Sequence, residues 1–219
     1  MNSSDGGRAA QATIPCDIPD LEVRLRRGAA AGARRIIGLV GPPGAGKSTL
    51  AERLAEHFGD ESAIVPMDGF HLANSIIDGT PLRERKGAID TFDVGGYLSL
   101  LRRLRHNDED VIYAPAYRRG LEEPIAASIA VPQSTAFIFT EGNYLLAQQG
   151  RWREVRSYLD EVWFVDTPRE IRLSQLIQRH VASGMEPAAA EAWALGPDEA
   201  NAEYIESTRI FADLAVRWC

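Results

Sequence analysis

Short apolar runs rich in β-branched and aromatic residues recur along the chain at 35–40 (RIIGLV), 63–67 (AIVPM), 136–140 (AFIFT) and 161–166 (EVWFVD), and each predicts a buried strand. A shorter run, Leu214-Ala215-Val216, predicts a last one. Helical spacing fills the intervals. Leu50, Ala51, Leu54, Ala55 and Phe58 form one apolar stripe that stops at Gly59. Val94, Tyr97, Leu98, Leu101 and Leu104 form a second behind a capping Asp93, with Arg102, Arg103 and Arg105 on the solvated face. Ile171, Leu176 and Ile177 form a third, and Thr167 with Glu170 three residues on and Pro168 between them predicts a capping box at its start. Helices are also expected over 21–31, where Leu21, Val23 and Leu25 stand among arginines, and over 198–212. Two extended segments, 111–117 and 125–131, flank RRGLEEP and predict a small β extension outside the main sheet.

Strands alternating with helices in 219 residues predict one α/β domain. Residues 1–15 are small and polar and are expected to be a disordered tail, 16–34 an N-terminal helix, and 35–219 the domain itself. Within it, 183–197 is alanine-rich with Gly184, Pro187 and Gly196 as breakers, which suits a flexible arm acting as a lid. The net charge of −7 lacks the basic field that a nucleic acid or membrane surface requires. No stretch approaches the roughly 18 apolar residues of a membrane span, and 1–15 carries no apolar signal core. A cytoplasmic monomer or homodimer is expected, with Cys16 and Cys219 as bystander thiols outside any metal-ligand spacing.

The candidate chemistry begins at 41–49, GPPGAGKST, a complete Gly-x4-Gly-Lys-Ser/Thr pattern between a predicted strand and a predicted helix. Glycines there let backbone N–H groups turn around an anion at a helix N-terminus. Gly41, Gly44, Ala45, Gly46, Lys47, Ser48 and Thr49 are therefore the expected phosphate cradle, Lys47 reaching the outer phosphates and Ser48 ligating magnesium. Asp68 follows the second predicted strand and is a candidate general base, or else a turn-forming residue; Phe70 and His71 beside it face substrate or pack. Glu141 follows the third and is assigned to the metal shell or its waters, with a helix N-terminal carboxylate as the alternative. Arg83, Arg85 and Lys86 lie in a long polar connection; Arg85 and Lys86 are candidates for an anionic substrate or the transferred phosphate, Arg83 for solvent. Tyr113, Tyr117, Arg118 and Tyr144 are candidate walls of a substrate pocket, although core packing explains Tyr113 almost as well. Arg172 and Arg179 stand two helical turns apart and either clamp a phosphoryl group or pair on the surface.

GPPGAGKST, MDGFH, RKGAIDTFD, YAPAYRRGLEEPI, FTEGNYLL, VDTPREIRLSQLIQRH and DEANAEYI occur in an order that resembles P-loop kinases of the uridine kinase, phosphoribulokinase and bacterial pantothenate kinase group. Within it the chain looks most like short bacterial nucleoside kinase-like or fructose transport system kinase members. The resemblance implies a three-layer P-loop NTPase fold: a parallel five-stranded sheet flanked by helices, with a lid and a small β insertion. It implies ATP-dependent transfer of the γ-phosphate, with Mg2+, to a hydroxyl of a small metabolite. Lys47 and Ser48 would take phosphates and magnesium, Asp68 would be the base, Glu141 the second acid, and Arg172 and Arg179 would fall where the family's lid arginines approach ATP. Gly69-Phe70-His71 departs from the uridine kinase pattern toward that of pantothenate kinases, than which the chain is shorter. The acceptor stays open among a nucleoside, a sugar such as fructose and a pantothenate-like alcohol. The competing expectation is a regulatory or accessory ATPase without a metabolite acceptor, although neither an Asn-Lys-x-Asp guanine reader nor a Leu-Ser-Gly-Gly-Gln signature is present.

Overall fold

Every residue of the strand Arg35–Val40 is buried. Such burial requires cover on both faces of a sheet, and the alternation of its side chains shows what supplies it. Ile36 and Val40 join a core that includes Tyr97, Leu101, Leu104, Ile138 and Phe164. Ile37 and Leu39 join the opposite core, with Leu21, Leu25, Leu50, Leu54, Phe139 and Trp163. The result is helix, sheet, helix in three layers.

The structure, a computed structural model, describes residues 13–28 and 33–217. In order these are β1 (Thr13–Pro15), α1 (Ile18–Arg27), β2 (Arg35–Val40), α2 (Lys47–Phe58), β3 (Ser62–Ile64), α3 (Asn74–Ile77), α4 (Val94–His106), β4 (Val111–Arg118), β5 (Glu123–Pro132), β6 (Phe137–Glu141), β7 (Glu161–Asp166), α5 (Arg169–Ala182), α6 (Pro187–Leu195), α7 (Pro197–Ser207) and β8 (Leu214–Arg217). The main sheet has the order β1-β8-β7-β2-β6-β3 and every pairing in it is parallel. β4 and β5 form the expected separate antiparallel hairpin.

Several expectations need correction. The sheet has six strands rather than five, because Thr13–Pro15, assigned to a disordered tail, pairs with Ala215–Arg217. The remainder of that tail, the end of the helix expected over 21–31, and Cys219 lie outside the described residues. The second strand ends at Ile64, and Met67–Phe70 is a 3-10 turn. The arm expected to be flexible over 183–197 is mostly helix α6: Pro187 sits in its first turn and Ala190 and Ala194 are fully buried. Alanine is the strongest helix former, and it outweighs the flanking breakers. The capping box does not form. Pro168 is the N-cap without a side-chain bond, while Thr167 Oγ1 donates to Ala45 O at 2.8 Å. The predicted Asp93 cap does form, its carboxylate accepting from Gly96 N at 2.8 Å.

The hairpin sits directly on the turn that carries Asp68. A Cβ on Gly69 would lie 2.4 Å from Pro115 O, so only glycine lets the two backbones approach. Gly69→Ala is expected to destabilise the fold by about 1–3 kcal/mol, read as a lower urea midpoint with an unchanged slope. An unchanged midpoint would mean that the hairpin does not dock there.

Candidate active site

Gly44 and Gly46 take positive φ, 81° and 86°, and Gly46 is the left-handed N-cap from which α2 starts at Lys47. This curls the loop over the helix N-terminus and aims unpaired N–H groups and the positive dipole end at one point. The loop is braced from α5, where Arg172 Nη1 donates to Pro43 O at 3.3 Å and Thr167 holds Ala45. Arg172 is 4% exposed, and its other face pairs with Glu199 on α7. Glu199 also takes Arg169. Neither expectation for Arg172 is therefore complete: it is ion-paired, but buried against the phosphate-binding loop rather than on a wet surface.

Glu141 ends β6, and the register sets it opposite Leu39 at the end of β2. Ser48 Oγ donates to Glu141 Oε1 at 3.0 Å. Burial raises the Glu141 pKa, and the like charge of Asp68 raises it further, against the pull of Lys47 and the Ser48 bond. Lys47 Nζ donates to Gly41 O at 2.8 Å and Pro42 O at 3.1 Å. Burial pushes Lys47 down to about 8; the carboxylates of Glu141 and Asp68 oppose this, while Arg179 and Arg172 add to it. Four charged groups from three separate segments thus act on one ammonium. Among the described residues no hydrogen bond or ion pair engages the Asp68 carboxylate, which is half-buried. Arg179 is exposed overall, yet desolvation and then the like charge of Arg119 lower the pKa of its guanidinium.

The hydroxyl of Ser48 and two mutually repelling carboxylates make a donor set of hard oxygens that suits a divalent cation. No cluster of three or more His, Cys, Asp or Glu able to hold a metal occurs among the described residues. Magnesium fits that sparseness, since it usually takes one or two protein carboxylates together with substrate phosphates.

On the other side of Asp68 the imidazole of His71 packs against Phe92 and Tyr117, with ring centroids 4.1 and 4.6 Å away. Its Nδ1 donates to Asp68 O at 2.8 Å, which sets the neutral tautomer because a carbonyl only accepts. Tyr117 OH donates to Glu122 Oε2 at 2.8 Å. Phe70 is partly buried against Tyr97, centroids 5.2 Å apart, and is more core than pocket. Tyr144 is sealed at 1% exposure; its OH donates to Gly87 O at 2.8 Å, pinning the polar connection rather than lining a pocket. Arg85 pairs with Asp90 in solvent, Arg83 with Asp78, and Lys86 turns inward. Tyr113 is 55% exposed, neither core nor wall, because β4 buries its neighbours Ile112 and Ala114 instead. Arg118 is exposed. The residue that sequence reasoning missed is its neighbour Arg119, whose charge is felt at His71, Glu141 and Arg179. Two adjacent arginines at a hairpin tip, both exposed, give no signal as to which bears on these groups.

A model of the Phosphoribulokinase / Uridine kinase family matches residues 36–217. The Escherichia coli (strain K12) protein YggC, itself uncharacterized, is 36% identical over 188 residues, which is 84% of this chain and 77% of that one. A Schizosaccharomyces pombe protein provisionally named a uridine kinase is 31% identical over 195 residues, 84% of this chain and 83% of that one. The crystal structure of a Silicibacter sp. TM1040 protein, provisionally named a fructose transport system kinase, superposes with a TM-score of 0.83 at 33% identity, covering 93% of this chain and 99% of the other. The chain belongs to the phosphoribulokinase / uridine kinase family, and it is an ATP-dependent kinase acting on a small-molecule hydroxyl. No helix among the described residues is long and apolar enough to cross a membrane.

Burial holds His71 below its usual pKa. The unfolded chain therefore binds the proton more readily, and stability should fall as pH drops below about 6.5. His71→Asn should flatten that part of the slope, measured by urea unfolding between about pH 5 and 7. A slope identical to that of the unsubstituted protein would contradict a neutral, buried His71.

Proposed function

We propose, taking that membership as the premise, that Asp68 is the general base of the kinase and that the acceptor hydroxyl lies between Asp68 and the loop bearing Lys47. The acceptor oxygen forms its bond to the γ-phosphorus of ATP as the bond from that phosphorus to the β–γ bridging oxygen breaks. The acceptor proton passes to the Asp68 carboxylate and ADP leaves with the bridging oxygen. Lys47 and Arg172 are the cations that offset charge on the transferred group, with Arg179 two turns further along α5. The backbone N–H groups of 41–49 hold the remaining phosphate oxygens. Ser48 and Glu141 would hold a magnesium ion, which supplies neutralisation of phosphate oxygens.

The reading rests on one observation: Ser48, next to Lys47 on the loop, donates to Glu141 at 3.0 Å, and β3, which the Asp68 turn follows, pairs with the strand that Glu141 ends. The Asp68 carboxylate, half-buried and without a hydrogen bond or ion pair among the described residues, is available to take a hydroxyl proton. A small-molecule partner and a cytoplasmic setting fit an acidic chain of net charge −7.

Asp68→Asn keeps the shape and removes the base. It is expected to lower kcat by about 10²–10⁴-fold while the affinity for ATP, measured by calorimetry, stays within about twofold. Turnover near that of the unsubstituted enzyme would remove Asp68 from the mechanism.

A further inference from the structure

Arg172, the most enclosed of the cations assigned to the transferred group, is held in place by a residue from another helix. Its stem lies against Gly44, where an added Cβ would come 3.3 Å from Arg172 Cγ. Nη1 donates to Pro43 O at 3.3 Å, and Nη2 donates to Glu199 Oε2. An arginine carries five N–H donors in one rigid plane. Those of Arg172 beyond these two have no acceptor among the described residues. One contact on each terminal nitrogen thus fixes the guanidinium, and the other donors are left for a ligand.

Glu199 is itself well fixed. It stands in the first turn of α7, where the helix dipole favours a carboxylate. Its other oxygen, Oε1, accepts from Arg169 Nε, so the group is held at both oxygens. Burial opposes its charge, but the bonds from Arg172 and Arg169 outweigh burial and keep its pKa below the usual carboxylate value. The helix is anchored on either side of it: His180 Nε2 and Asp198 Oδ2 lie 2.7 Å apart, Asn201 meets Tyr144 OH at 3.3 Å, and Ala202 and Ile205 are buried. If α7 needed only to be tied to α5, the largely exposed Arg169 and the His180 contact would suffice. The bond to Arg172 is made in addition, at the cost of desolvating a charge pair, and to the one arginine that also bonds the phosphate-binding loop.

We infer that Glu199 is a positioning residue for phosphoryl transfer: it holds the Arg172 guanidinium against the phosphate-binding loop, so that the remaining donors meet the transferred group without reorganisation. Glu199 touches neither substrate nor reacting atom and acts through Arg172. This inference rests on the kinase reading above, in which Arg172 offsets charge on the transferred group, and adds a residue of α7 to it. Without the carboxylate the guanidinium keeps only its 3.3 Å bond to Pro43 O, and a long side chain tied at one point regains much of its rotamer freedom.

The test uses the full chain with magnesium and ADP, with and without aluminium fluoride as the mimic of the transferred group. Affinity is read by calorimetry, and the urea midpoint of each variant is read beside it. Glu199→Gln keeps the shape and removes the charge. It is expected to leave the Kd for ADP within about threefold and to cut the gain in affinity that fluoride confers by about 10–100-fold, the cost typical when a ligand loses the partner that orients it. Glu199→Asp, which keeps the charge one methylene short, should recover part of that gain, and it carries the test if Glu199→Gln does not fold. In an Arg172→Gln background Glu199→Gln should remove less than about twofold more, because both changes act through one guanidinium. A role confined to holding the helices together predicts something else: a lower urea midpoint and weaker ADP binding with the fluoride gain intact, or losses that add to those of Arg172→Gln. Either result, or a fluoride gain larger than in the unsubstituted protein, would overturn the inference and leave the kinase assignment standing. An undiminished fluoride gain in Arg172→Gln alone would remove Arg172 from the kinase reading and this inference with it. Failure of the unsubstituted protein to bind ADP would overturn both.

Discussion

Across the parallel ladder of β2 and β6, Leu39 stands opposite Glu141, and the geometry of the site follows from that register. One strand end delivers the phosphate-binding loop and its neighbour delivers a carboxylate, close enough for Ser48 to donate to it at 3.0 Å. β3 lies on the far side of β6, so the turn after it brings Asp68 to the same edge of the sheet. Parallel strands share a direction, and their carboxyl ends therefore open into one crevice. A slip of a single residue between β2 and β6 would turn Glu141 to the other face and separate the acid from the hydroxyl.

That convergence is electrostatically costly, and the arrangement around it reads as compensation. Glu141 is buried beside the like charge of Asp68, and Lys47 is buried beside Arg172 and Arg179. Each group is held away from its ordinary protonation by desolvation and kept near it by opposite charges. Arg172 is the most enclosed of the arginines around the loop, and it is tolerable there because Glu199 pairs with it and Pro43 O accepts from it. Removing one member of such a buried pair leaves an uncompensated charge. The pair also ties α7 to α5 and through it to the loop. Together with the contact of His180 and Asp198 at 2.7 Å, it couples the position of the C-terminal helices to the phosphate cradle.

The parts of this arrangement that depend on local chemistry were legible in the sequence. The loop at 41–49, the buried strands β2 and β6 and the order of acids after the predicted strands follow from spacing and from the rule that ligands gather at strand ends, whereas β3, predicted as buried, is only partly so. What was illegible depends on tertiary choice. Thr167 has two uses for one hydroxyl, a helix cap or the Ala45 carbonyl, and only the docking of α5 on the loop decides between them. Tyr113 and Tyr117 lie four positions apart in one strand, and yet one is open to solvent while the other packs on His71. Arg118 and Arg119 are indistinguishable by type and neighbourhood. Three residues of β1 carry too weak a signal to read as a strand, because their pairing is with β8 at the opposite end of the chain. Alanine content made α6 look loose when it was in fact a helix that buries Ala190 and Ala194.

The central claim is that Asp68 and the Lys47 loop serve one reacting centre. A crystal structure of the chain with ADP, magnesium and a metal fluoride that mimics the transferred phosphoryl group tests it most directly. The account predicts the fluoride within hydrogen-bond distance of Lys47 Nζ and an Asp68 carboxylate oxygen within about 3 Å of the position from which a hydroxyl would attack in line. A fluoride bound on the loop with Asp68 turned away, or joined to another side chain in an ion pair, would contradict it.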